Sequence, residues 1–119
     1  MSPNKDTVEN YIDGFNKGNH AKILSCLTDD VEWRMPGVFH VFGKEAFDQK
    51  IESEDLTGLP EVKLTHMMED KDTIVAEGTI RCAKKAGGFM NAAFSDVFVM
   101  ENARIRRLTT YISEIEEQA

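Results

Sequence analysis

A chain of 119 residues with 14 basic and 21 acidic side chains is long enough for one domain with a single core, and its net charge of −7 repels phosphate backbones and anionic membrane surfaces. No segment approaches the roughly 18 apolar residues of a membrane span, and MSPNKDTVENY carries no apolar leader, so a soluble cytoplasmic protein is expected, with neither nucleic acid nor membrane as partner. Cys26 and Cys82 lack CxxC spacing and read as reduced, buried thiols.

In chain order, Val8, Tyr11, Ile12 and Phe15 recur at the spacing of one helix face, which predicts a helix over residues 3–17, with Pro3 in its first turn and Gly18 closing it. Asn19 is placed to cap a short second helix carrying Ala21, Leu24 and Leu27 and stopping before Asp29. VEWRM is a strand with Val31, Trp33 and Met35 on one side, ended by Pro36 and Gly37; His40 follows in a loop. After Gly43, Ala46, Phe47, Lys50 and Ile51 mark a third helix, broken by Gly58 and Pro60.

Beyond Pro60 the period changes to two, predicting strands near 61–69, 73–84, 90–101 and 104–115. Their short joints suit antiparallel hairpins and exclude parallel crossovers. Three helices followed by a meander is an α+β plan for a single domain over residues 1–119, with the helices on one face of a curved, mainly antiparallel sheet. Val97 and Val99 then lie on the uncovered face, and a sheet-to-sheet homodimer is the expected cover.

The one carboxylate in the apolar strand AAFSDVFVM is Asp96, which shares a strand face with Ala92, Phe94, Phe98 and Met100. An ionised and unpaired carboxylate there costs several kcal/mol, so Asp96 is paired, protonated or facing a wet cavity. One alternative is a structural ion pair with Arg81 or Arg106, with Tyr11 merely an amphipathic helix residue.

The order of elements, with VENYIDGFNKGN, LTDDVEWRMPG, GKEAF and SDVFVMENARIRRL, resembles the nuclear transport factor 2-like superfamily, in its SnoaL-like and ketosteroid isomerase-like branch. The resemblance runs nearly end to end. It implies a cone-shaped fold of three N-terminal helices on a curved sheet (a cystatin-like roll), a deep apolar pocket, frequent dimers and diverse functions. Tyr11 and Asp96 fall where ketosteroid isomerases keep two neutral donors to an enolate oxygen. Met35 stands where that branch has its carboxylate base, and it cannot accept a proton. His40, His66 and Glu77 are the candidate replacement bases, each with an ordinary surface or packing role as its alternative.

The expected ligand is a small, largely apolar molecule bearing a carbonyl or hydroxyl oxygen. Its pocket would be lined by Phe15, Trp33, Met35, His40, Phe47, His66, Phe94 and Phe98, with Tyr11 and Asp96 on the oxygen. An enzyme built this way would run enol or enolate chemistry, as in isomerisation, cyclisation or dehydration. The rival is a non-catalytic ligand-binding or dimerisation module. No cofactor is implied, and the histidines at 20, 40 and 66 lack metal-site spacing.

Overall fold

The computed structural model describes residues 2–115. Helix α1 (Pro3–Lys17) starts at the Ser2 hydroxyl, which accepts the Lys5 N–H at 3.1 Å, and ends at Gly18 in the left-handed conformation. Asn19 caps α2 (His20–Ser25) through the Lys22 N–H. Strand β1 (Leu27–Met35), strand β2 (Phe39–Phe42) and helix α3 (Lys44–Ile51) follow. The long strands β3 (Leu56–Asp70), β4 (Thr73–Lys84), β5 (Phe89–Glu101) and β6 (Arg104–Glu114) complete the fold.

The six strands form one sheet in the order β2-β1-β6-β5-β4-β3. Every neighbouring pair is antiparallel except β1 and β6, which run parallel, with Trp33 beside Leu108. The helices cover one face. Val8, Tyr11 and Ile12 of α1, Ile23 of α2 and Phe47 of α3 pack on Val31, Ile74, Phe98, Ile105 and Leu108 of the sheet. This is the α+β cone with three helices on a curved sheet that the sequence led us to expect.

Four details differ from the sequence reading. Leu27 opens β1 instead of closing α2, because Cys26 already caps that helix with its N–H on Ile23 and Leu24 carbonyls. Residues 39–42 form a strand, since the Val38 N–H reaches back to the Met35 carbonyl at 2.9 Å and turns the chain onto β1. Strand β3 begins at Leu56 and tolerates Gly58 and Pro60 because it is the sheet's edge, where its register with β4 breaks between Thr57 and Glu61. A bulge between Leu64 and His66 then flips the pleat, so Val62, Leu64 and Met67 face the helices while His66 and Met68 face away. The acidic terminus read as a solvated end lies, from residue 116 on, outside the described residues.

Candidate functional site

Strand β5 alternates as its period predicts: Ala92, Phe94, Asp96, Phe98 and Met100 are all buried, and Ala93, Ser95, Val97 and Val99 face the other side. Asp96 therefore lies beneath the helices, 6% exposed, with Ala76 beside it on β4 and Thr110 beside it on β6. Among the described residues it is the one buried carboxylate, and its Oδ1 is a fully buried oxygen without a hydrogen-bond partner. Burial pushes the Asp96 carboxyl up from 3.8 to about 7, and the neighbouring Thr110 hydroxyl opposes that rise. Thr110 in turn accepts the Trp33 indole N–H at 3.0 Å, a bond between buried groups 77 residues apart in sequence.

Tyr11 faces the same space from α1, its ring edge-on to Phe15, Phe98 and Phe47 with centroids 5.0, 5.6 and 6.2 Å away. Burial pushes its phenol well above the ordinary tyrosine range, and the Asp96 and Cys26 charges push it further. The hydroxyl thus stays protonated at any physiological pH and is available as a donor. Trp33 stacks on Phe47 at 4.3 Å and meets Phe39 edge-on at 5.0 Å. Met35 and Phe15 are half-buried against this aromatic cluster. The Phe94 ring lies against Gly78, next to Asp96 along the sheet.

Of the predicted lining, Phe15, Trp33, Met35, Phe47, Phe94 and Phe98 are on the helix-covered side with Tyr11 and Asp96. His40 and His66 are not. His40 faces outward from β2, its Nε2 2.6 Å from the Glu32 carboxylate, which also holds Arg107. His66 is turned out by the β3 bulge and pairs across from exposed Glu77. All three candidate replacement bases therefore lie on the face opposite Asp96. The arginines proposed as ion-pair partners are engaged elsewhere, Arg106 with Glu101 at 3.7 Å and Arg81 over the Phe89 ring at 3.9 Å. Neither contributes to the Asp96 shift.

Phe39 and Thr110 belong to this site and were not foreseen. No group of three or more metal-type ligands occurs among the described residues, and no helix there is long and apolar enough to cross a membrane. Two surface clefts, about 310 and 270 Å³, lie beside Cys26 and Arg104 and beside Ile80 and Asn91, and neither includes Tyr11 or Asp96.

The chain matches the SnoaL-like domain family over residues 8–108. The chain belongs to that family. This SnoaL-like protein superposes on a nuclear transport factor 2-like protein of unknown function from Burkholderia pseudomallei K96243 with a TM-score of 0.86, at 20% identity, over 95% of this chain and 92% of that one. TerC co-crystallised with polyporic acid gives 0.84 at 21% identity over 94% and 92%. An LEH-like epoxide hydrolase from M. tuberculosis gives 0.81 at 16% identity over 93% and 83%. These likenesses show the fold; no curated protein matches the SnoaL-like chain in sequence.

Proposed function

We propose that this SnoaL-like protein binds a small, largely apolar molecule and seats one of its oxygens, carbonyl or hydroxyl, against Asp96 Oδ1, with the Tyr11 hydroxyl as the second donor. The observation that carries this reading is the buried, unpartnered Oδ1. A native structure rarely leaves such an atom without a partner, because the unmade hydrogen bond costs about 1–3 kcal/mol, and a ligand oxygen would supply it. The surrounding rings give a dry, low-dielectric wall in which donors act strongly on developing charge. Entry to Oδ1 requires a wall side chain to move, and Phe94 and Phe98, each two residues from Asp96 on the same strand face, are the nearest aromatics on β5.

If the site turns a substrate over, the donor pair suits enol or enolate chemistry. The outward placement of His40, His66 and Glu77, with Met35 at the position of the usual base, favours the second reading, a ligand-binding module without turnover. Both readings share one test of the site. Asp96→Ala should weaken binding of a neutral aromatic ketone by about tenfold, the worth of one buried hydrogen bond, as followed by titration calorimetry. Met35→Asp should raise turnover of a simple enone if the pair polarises carbonyls. Unchanged affinity in the alanine variant would remove Asp96 from the site.

A further inference from the structure

We propose that Trp33 and Thr110 act as a positioning relay that presents Asp96 Oδ1 as a proton donor, so that the site selects ligands offering an acceptor oxygen, a carbonyl above all, over ligands that only donate. This rests on the reading of Asp96 as the ligand-binding carboxyl and deepens it. The relay begins with a group that has no choice of role. An indole N–H is donor only, and that of Trp33 is spent on Thr110 Oγ1 at 3.0 Å. Thr110 is held directly opposite Asp96 by the β5–β6 register, which sets its hydroxyl beside the Asp96 carboxyl, whose pKa it lowers.

A threonine hydroxyl has one proton. With Trp33 donating to the oxygen, that proton is free to go to the carboxyl, and the carboxyl oxygen that receives it is an acceptor. The acid proton of neutral Asp96 is then left to the other oxygen. Oδ1, which has no partner, is that oxygen. The relay joins three strands, β1 to β6 to β5, so the side chains are fixed by the sheet and not by a loop.

The surroundings leave this polarity unopposed. The neighbours of Asp96 on its own face are Ala76, Phe94, Phe98 and Thr110, none of them charged. From the helices, Tyr11 is the titratable group coupled to it, and Phe47 of α3 adds only a ring; Cys26 acts on Tyr11. The charged Glu77 and Arg107 lie on the opposite face.

The test has two arms. Carbon-detected NMR titration of Asp96 in the free protein should show its midpoint rising in Thr110→Val, by about one pH unit, because an isosteric group that cannot donate no longer favours the anion. Thr110→Ser should restore the wild-type midpoint, which mere packing would not require. Identical midpoints in wild type and Thr110→Val would overturn the relay. In the second arm, wild type at pH 6 should bind 2-acetylnaphthalene about tenfold more tightly than 2-ethylnaphthalene, and Thr110→Val should narrow the gap. A shifted midpoint with no preference for the ketone would leave the relay standing and overturn both the ligand class and the binding role of Asp96.

Discussion

At the scale of single residues, Asp96 couples ionisation to stability in a direction opposite to most carboxylates. Its folded-state pKa of about 7 lies above the unfolded value, so between about pH 4 and pH 7 the unfolded chain releases a proton that the folded chain keeps. Stability therefore falls as pH rises through that window and is flat for this group above it. The span amounts to about 4 kcal/mol as an upper figure. Asp96→Asn removes the ionisation at nearly constant shape, so its stability relative to wild type should rise from pH 4.5 to pH 8 by up to that amount, read from urea unfolding at both pH values. A difference independent of pH would mean that Asp96 is not desolvated. The residue itself was legible in the sequence, since a carboxylate on the apolar face of a strand has few explanations. Its partner was not. Counting back from the Asn102–Ala103 turn sets Asp96 opposite Thr109, and only the bulge between Val99 and Met100 slides the pairing by one residue to Thr110.

At the scale of elements, bulges and tight approaches explain most of what sequence periodicity misjudged. Helix α1 with its Gly18 end, the Asn19 cap of α2 and the four long strands followed from spacing and from Pro3, Gly18 and Asn19, because one buried face per element imposes a period. Strand β2 escaped because four residues after a Pro-Gly turn are too few to show a period, and with it went Phe39 as a wall residue. His66 was assigned the wrong face because the extra residue Thr65, whose hydroxyl bonds the Glu77 carbonyl at 3.2 Å, is invisible to a rule that counts by twos. The β3–β4 pair also leaves no room for a side chain at Gly78. A Cβ on Gly78 would lie 2.1 Å from the Lys63 carbonyl oxygen and 3.0 Å from the Phe94 ring. The first contact is backbone and cannot rotate away. Gly78→Ala should accordingly destabilise the fold by about 2–3 kcal/mol in chemical denaturation, beyond the usual cost of a surface strand substitution. A loss under 0.5 kcal/mol, on the scale of ordinary surface changes, would show that the edge strand yields freely.

At the scale of the whole molecule, one sheet face is sealed by helices and the other is open. On the open face Val75, Val97 and Val99 are half-buried among themselves, with Met68 55% and Tyr111 48% exposed beside them, and the His40–Glu32–Arg107 cluster stands at one side. We infer that this face is closed by a second copy of the chain, which is the same patch meeting itself about a two-fold axis. Light scattering at micromolar concentration should give twice the 13.4 kDa chain mass, and Val97→Arg should return it to one. A wild-type monomer would end the inference. The position of β6 has a further consequence, in time. Strand β6 is inserted between β1 and β5, so β1, which meets β2 within a few residues, gains its second neighbour only after β6 has been synthesised. Such distant pairing makes loop closure, and with it folding, slow. The Trp33–Thr110 bond spans the same gap, so the polarity of the Asp96 carboxyl is set at the closing of the sheet, and a chain still on the ribosome holds every ingredient of the site except the one that orients it.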